Sequence, residues 1–134
     1  MRIVENINGI HVNIKFTSGI NCIDLGISGS GKTFLMTLIE AYCVKNSIEC
    51  RFFNYNTRGE DIKTILNNIE DRDSVVLLDN ADLYMSDEIS NLMHKYKNVT
   101  FIISIKRRLR LGEPYKLFRL SYNDLSLSCE EVNI

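Results

Sequence analysis

Residues Gly26 to Thr33 read Gly-Ile-Ser-Gly-Ser-Gly-Lys-Thr, and this stretch decides how the rest of the chain is interpreted. It matches the whole phosphate-binding pattern G-x-x-x-x-G-K-[ST]. Glycines let the backbone curl so that successive N–H groups point at phosphate oxygens, and a helix that follows adds the positive end of its dipole. In such a loop Lys32 supplies a cation for the β- and γ-phosphates, and the Thr33 hydroxyl supplies a ligand for Mg²⁺.

The flanking residues provide the context that this pattern requires. An apolar run over Ile20–Leu25 predicts a strand before the glycine-rich segment. The segment from Lys32 to Lys45 contains no helix breaker and predicts a helix after it. The pattern therefore stands between a strand and a helix, and we predict that it is a nucleotide phosphate site.

The remaining chain alternates between predicted strands and helices. Ile10–Phe16 alternates apolar and polar residues, and Asn8-Gly9 before it is a strong hairpin signal. We expect further strands and helices in the order that follows: strand Glu49–Tyr55, helix Asp61–Ile69, strand Ser74–Asp79, helix Ser86–Tyr96, strand Val99–Ile105 and strand Lys116–Leu120. Strands that alternate with helices predict an α/β fold with a parallel sheet.

The strand Ser74–Asp79 ends in a carboxylate. Ligands of parallel sheets bind at the carboxyl ends of the strands, so Asp79 is a candidate ligand for Mg²⁺ together with Thr33. We interpret Asp82 as a turn or helix-cap residue. The predicted metal site is thus made by Thr33 and Asp79.

These residues resemble those of the P-loop NTPase superfamily, in the division with an extra strand between the loop strand and the Walker B strand. Gly26–Thr33 is similar to Walker A, Val75–Asp79 is similar to Walker B, and Glu49–Tyr55 lies between them. The resemblance implies a three-layer α/β/α sandwich with a mainly parallel five-stranded sheet, in which Val99–Ile105 separates the loop strand from the Walker B strand. An N-terminal hairpin in residues 1–19 would precede it, within a single domain that spans residues 1–134.

The resemblance also implies roles for individual residues. Ser104 corresponds to the polar sensor at the end of the intervening strand, and Lys32 contacts the reacting phosphates. Arg107, in the basic stretch Lys106–Arg110, could act as an arginine finger, in cis or across a subunit interface. The implied nucleotide-binding residues are Gly26, Ser28, Gly29, Ser30, Gly31, Lys32, Thr33 and Phe34.

Two subfamilies compete for this resemblance. The opening hairpin and Leu78-Asp79 look like ABC-type ATPases, but the chain has no L-S-G-G signature. Leu77–Asp82 and the strand that runs into arginine at Ile105–Arg108 look like AAA+ and STAND ATPases, whose lid domain a chain of 134 residues is too short to contain. We prefer a minimal AAA-like core.

Asn80 departs from the pattern of both subfamilies. The position after the Walker B aspartate usually carries a glutamate that polarises the attacking water, whereas asparagine can orient a water but cannot accept its proton. We therefore expect an Mg·ATP-binding ATPase with slow or partner-dependent hydrolysis. The alternatives are a small P-loop kinase and a non-hydrolysing, nucleotide-dependent binding module. ATP is preferred over GTP because the chain has no N-K-x-D motif.

Composition limits the kinds of binding partner and the cellular compartment that we expect for this chain. The net charge is -1, so binding to nucleic acid would need a local patch such as Lys106–Arg110. The sequence leaves open whether the chain binds a protein partner or associates with itself. No apolar stretch approaches the roughly 20 residues of a membrane span, so we expect a cytoplasmic protein with no membrane partner. The four cysteines form no C-x-x-C pair, and we expect reduced thiols rather than a zinc site; they are Cys22, Cys43, Cys50 and Cys129.

Overall fold

A computed structural model describes residues 1–24, 32–54, 58–107 and 109–132, with the backbone alone at residues 32, 33, 58–61 and 123. In these ranges the helices are α1 (Lys32–Lys45), α2 (Arg58–Asn68) and α3 (Asp87–His94), and a 3-10 helix spans Ala81–Leu83. The strands are β1 (Arg2–Ile7), β2 (Ile10–Lys15), β3 (Gly19–Asp24), β4 (Glu49–Phe53), β5 (Ser74–Leu78), β6 (Val99–Ile105), β7 (Lys116–Asn123) and β8 (Ser126–Val132).

The described strands form one mixed sheet in the order β1-β2-β8-β7-β3-β6-β5-β4, which curls into a half-barrel. The prediction of a three-layer α/β/α sandwich around a mainly parallel five-stranded sheet is therefore wrong. The difference arises at the end of the chain, where β7 and β8 form an antiparallel hairpin and β8 pairs in parallel with β2. This pairing joins the N-terminal hairpin to the main sheet, and the natural twist of the strands curves the enlarged sheet.

Both hairpins turn through two residues in the left-handed region. Asn8 and Gly9 have φ values of 50° and 83° between β1 and β2, which confirms the predicted N-terminal hairpin. Asp124 and Leu125 have φ values of 47° and 61° between β7 and β8. Two successive positive φ values define the turn whose twist matches that of the paired strands. Leucine is unusual there because its Cβ crowds the backbone in this conformation.

The central strands follow the predicted order. β3 pairs in parallel with β6, β6 with β5, and β5 with β4, so β6 separates β3 from β5 as expected for Val99–Ile105. Every residue of β5 and β6 is buried, as expected for parallel strands that are covered on both faces. The carboxyl ends of these strands consequently meet along one edge of the sheet.

Helices cover the sheet from two sides, each with its own apolar cluster. On one side α1 packs with the N-terminal hairpin, through residues such as Leu35, Ile39 and Val12. On the other side α2 and α3 pack on β5 and β6, through residues such as Leu66 and Met93. Leu35 and Ile39 are fully buried, and each contributes about 1.5 to 3 kcal/mol of transfer free energy. The packing holds α1 in a fixed position directly after the glycine-rich segment.

Helix α3 begins as its sequence predicts, although it is shorter. Ser86 is its N-cap residue, and the Ser86 hydroxyl accepts a hydrogen bond of 3.2 Å from the backbone N–H of Ile89. Asp87 and Glu88 in the first turn complement the helix dipole. The helix ends at His94 rather than at the predicted Tyr96.

Candidate functional site

The candidate site lies where the parallel strands end. In the register of the sheet, Asp24 at the end of β3 stands opposite Ile105 of β6, and Leu78 of β5 stands opposite Ile103 of β6 and Phe53 of β4. Asp79 follows Leu78 directly and is half-buried. The edge therefore carries acidic side chains beside the strand that leads into Gly26–Thr33.

Ser104 connects the ends of β5 and β6. Its hydroxyl donates a hydrogen bond of 3.0 Å to Oδ1 of Asp79 and accepts one of 3.0 Å from the backbone N–H of Asn80. Ser104 is fully buried, so these two bonds satisfy a hydroxyl that water does not reach. Hydrogen bonds to a charged group contribute about 1.5 to 3 kcal/mol. The hydrogen bond to Oδ1 orients the carboxylate of Asp79.

The backbone of Asp79 is fixed on both sides of the residue. Its N–H donates to the carbonyl of Phe53 over 2.8 Å, which extends the pairing of β4 with β5 by one step. Its carbonyl accepts a hydrogen bond of 2.7 Å from the hydroxyl of Tyr84. Burial raises the pKa of Tyr84, and the negative charges of Asp79 and Asp82 raise it further. Tyr84 therefore stays a neutral hydrogen-bond donor at physiological pH.

Asn80 adopts the left-handed conformation, with φ 51° and ψ 47°, immediately before the 3-10 helix. Its carbonyl accepts a hydrogen bond of 3.0 Å from the N–H of Leu83, which closes the first turn of that helix. Asparagine tolerates this conformation better than most residues because its short polar side chain bonds locally. The backbone conformation at this position therefore favours asparagine over glutamate.

Asp82 connects the 3-10 helix to the residue after β6. Its Oδ1 accepts a hydrogen bond of 3.3 Å from the backbone N–H of Lys106. Burial raises the pKa of Cys22 to about 12, and the negative charges of Asp24 and Asp82 add to that rise. This placement fits the interpretation of Asp82 as a turn residue.

Among the described residues, no group of three His, Cys, Asp or Glu side chains is placed to hold a metal ion. Asp79 alone represents the predicted Mg²⁺ ligands here, because the side chain of Thr33 lies outside the described residues. A single carboxylate is compatible with Mg²⁺, which keeps several waters and takes oxygen ligands from substrate phosphates.

The structure brings together two of the predicted catalytic residues, Asn80 and Ser104, with the predicted metal ligand Asp79. Arg107 is exposed just after β6. Phe34 packs against the apolar cluster around α1. The backbone of Lys32 and Thr33 begins α1. The predicted residues that lie outside the described ranges are Gly26, Ser28, Gly29, Ser30 and Gly31.

Sequence reasoning did not identify Tyr84 as part of this site. Tyr84 lies five residues after Asp79, and the 3-10 helix between them turns the chain so that the phenol returns to the carbonyl of Asp79. A tyrosine in a turn carries no periodic signal. The only indication in the sequence was the position of Tyr84 shortly after a strand that ends in aspartate.

Comparison with family models, with curated proteins and with solved structures finds no match for this chain. No helix in the described part of the chain is long and apolar enough to cross a membrane.

Proposed function

We propose that this chain binds Mg·ATP and hydrolyses its β–γ phosphoanhydride bond slowly, or at an appreciable rate only with a partner. One observation carries the proposal. The carboxylate of Asp79, oriented by the Ser104 hydroxyl, stands at the carboxyl end of β5, and β5 lies two strands from β3, which leads into Gly26–Thr33. The match of Gly26–Thr33 to the phosphate-binding pattern supports the same proposal, as does helix α1, which begins at Lys32.

Mg²⁺ fits the oxygen chemistry of the residues concerned. Thr33 and Asp79 would hold the ion, which would neutralise charge on the β- and γ-phosphates. Lys32 would add a second positive charge at the same phosphates. The hydrogen bond from Ser104 limits rotation of the Asp79 carboxylate, so the carboxylate is already oriented when a cation binds.

Asn80 supports slow turnover. Its amide can orient a water molecule but cannot take up the proton that the water loses. The backbone N–H of Asn80 donates a hydrogen bond to the Ser104 hydroxyl, which in turn donates to the Asp79 carboxylate. One serine therefore holds both residues. Because asparagine cannot act as the base, this residue also favours the second candidate function, a nucleotide-dependent binding module that does not hydrolyse ATP.

Arg107 and Arg110 are exposed and have no ion pair among the described residues. They are available to contact a γ-phosphate, in cis or in a second copy of the chain, or a nucleic-acid phosphate. Activity that rises with protein concentration would indicate the assembly that a trans arginine requires. Preference for ATP over GTP and a cytoplasmic location stay predictions from the sequence.

Binding of a fluorescent ATP analogue in the presence of Mg²⁺ tests the proposal. Lys32→Ala should weaken binding by at least about tenfold, which corresponds to about 1.4 kcal/mol. Lys45→Ala is the matched control, because Lys45 is exposed in the last turn of the same helix. Equal affinity of wild type and Lys32→Ala would overturn the proposal, whereas binding without hydrolysis would select the second candidate function.

A further inference from the structure

Strand β4 lies at one end of the described sheet. It pairs in parallel with β5 through Glu49–Phe53, and no described strand pairs with its outer side. The carbonyl of Phe53 accepts a hydrogen bond of 2.8 Å from the N–H of Asp79, so the backbone groups of Phe53 point toward β5. Successive residues of a strand direct their backbone groups to opposite sides, so those of Cys50 and Phe52 point outward. The outer side of β4 can therefore accept another strand.

The side chains along this edge differ between the two faces of the sheet. On one face, Glu49 and Arg51 are exposed and form an ion pair, with 2.9 Å between Arg51 Nη2 and Glu49 Oε1. On the other face, Ile48 and Cys50 pack against the cluster around α1, and Phe52 is 39% exposed. Neither a proline nor a bulge interrupts β4, although these features commonly protect edge strands.

The sequence around Cys50 is complementary to itself when it is read in the opposite direction. Glu49 and Arg51 carry opposite charges on either side of Cys50, and the large apolar residues Ile48 and Phe52 follow on either side. An antiparallel pair of two such strands sets each residue opposite one that suits it, because directly opposed residues lie on the same face of a sheet.

We propose that two copies of this chain form a dimer by antiparallel pairing of their β4 strands, with Cys50 of one copy opposite Cys50 of the other. In this register Glu49 of each copy lies opposite Arg51 of the other, and Ile48 lies opposite Phe52. Cross-strand pairs of opposite charge and of apolar residues stabilise a sheet. The carboxyl ends of the two sheets then point in opposite directions, and the proposal does not depend on nucleotide binding.

The backbone groups fit the same register. Two opposed Cys50 residues form a hydrogen-bonded pair, in which the N–H of each donates to the carbonyl of the other. The N–H of Phe52 donates to the carbonyl of Ile48 in the other copy. The N–H of Ile48 already donates to the carbonyl of Cys43 in its own chain over 2.8 Å, so it needs no partner across the interface.

Strand β1, at the other end of the described sheet, is less suited to such pairing. Met1 and Phe16 exchange backbone hydrogen bonds of 2.9 Å, so the backbone groups of Arg2, Val4 and Asn6 point outward by alternation. A symmetric antiparallel pair centred on Val4 sets Arg2 opposite Asn6 and contains no pair of opposite charges. Charge complementarity therefore favours β4 as the interface.

Sedimentation velocity on a dilution series of the full chain tests the proposal with two charge-reversal variants. Arg51→Glu and Glu49→Arg each set like charges opposite one another, so either variant alone should have a dimer dissociation constant at least about tenfold above that of wild type. An equimolar mixture of the two variants should dimerise about as tightly as wild type, because opposite charges then face one another. Arg2→Glu, at the β1 edge, is the matched control and should leave the dimer unchanged.

Hydrogen exchange followed by NMR supplies a test on the wild-type chain. The amide protons of Cys50 and Phe52 should exchange at least about tenfold more slowly in the dimer than after dilution, whereas those of Val4 and Asn6 should not change. A chain that stays monomeric, or protection at Val4 instead of Phe52, would overturn the proposal. So would a dimer that Arg51→Glu does not weaken, or a mixture of the two variants that is no tighter than either alone.

Discussion

The buried hydroxyl of Ser104 donates a hydrogen bond of 3.0 Å to the carboxylate of Asp79 across the ends of β6 and β5. The same hydroxyl accepts the N–H of Asn80. One side chain thus fixes the proposed metal ligand and the residue after it. Orientation of a carboxylate before a cation arrives lowers the entropy lost on binding.

Ser104→Ala should lower the free energy of unfolding by about 1 to 3 kcal/mol, because it removes the two hydrogen bonds that the Ser104 hydroxyl makes with the N–H of Asn80 and with Oδ1 of Asp79. It should also weaken Mg·ATP binding. Ser90→Ala is the control, because Ser90 is another buried serine whose hydroxyl accepts a longer bond of 3.4 Å from Gly112 N–H. Urea denaturation and nucleotide titration measure both effects. If Ser104→Ala changed nucleotide affinity no more than Ser90→Ala, the orienting role would be wrong.

Asn80→Glu should lower the stability of the fold and raise the rate of ATP turnover. It should destabilise the fold by about 1 kcal/mol, because glutamate is less tolerant than asparagine of the left-handed conformation. It should also raise ATP turnover if the missing base limits hydrolysis. Asn80→Gly supplies the control, since glycine accepts the conformation and adds no base. A steady-state phosphate-release assay in which Asn80→Glu is no faster than wild type would remove the argument from the missing glutamate.

Asp124 and Leu125 form the turn that adds β8 to the sheet. Replacing Leu125 by glycine should stabilise the protein by about 1 kcal/mol, because the leucine Cβ is strained at φ 61° and the side chain is exposed. Ser126→Gly should instead be neutral or destabilising, because Ser126 lies in β8. Thermal unfolding of both variants measures the difference. Destabilisation by Leu125→Gly would contradict this turn geometry.

Stability should decline at alkaline pH. Burial raises the pKa of Cys22 from 9.0 to about 12, so the folded protein retains a proton that the unfolded chain releases. The contribution is fully present below pH 9, and it is lost at up to about 1.4 kcal/mol per pH unit as the pH rises toward 12. Urea denaturation under reducing conditions at pH 8 and pH 10.5 measures the slope. Cys22→Ala should reduce that slope, and an unchanged slope would show that Cys22 does not contribute to it.

The predictable parts of the fold were those with a strong local signal. Asn8-Gly9 predicted the first hairpin, and the apolar runs of β5 and β6 predicted buried parallel strands. Strand β8 was missed because Leu127 and Cys129 alternate with serine and glutamate, and because its turn carries leucine rather than glycine. Without β8, the sequence offered no reason to join the N-terminal hairpin to the main sheet.

The candidate site was predictable to a similar extent. Asp79 was identified because it ends a buried strand, and a parallel sheet brings such ends to one edge. Ser104 was identified only through the resemblance to P-loop NTPases. The double role of Ser104 depends on atomic distances that no pattern encodes. Tyr84 returns to Asp79 only through the 3-10 helix, which was not predicted.

The dependence of ATP binding on Mg²⁺ in Asp79→Asn tests the central claim most directly. Calorimetric titration with ATP, with Mg²⁺ and with EDTA, should show binding at least about tenfold tighter with Mg²⁺ in wild type. Asp82→Asn, which alters a neighbouring carboxylate that bonds Lys106 N–H, should keep this difference. Asp79→Asn should lose it. Failure of wild type to bind Mg·ATP, or a full Mg²⁺ dependence in Asp79→Asn, would contradict the assignment of this edge as a nucleotide site.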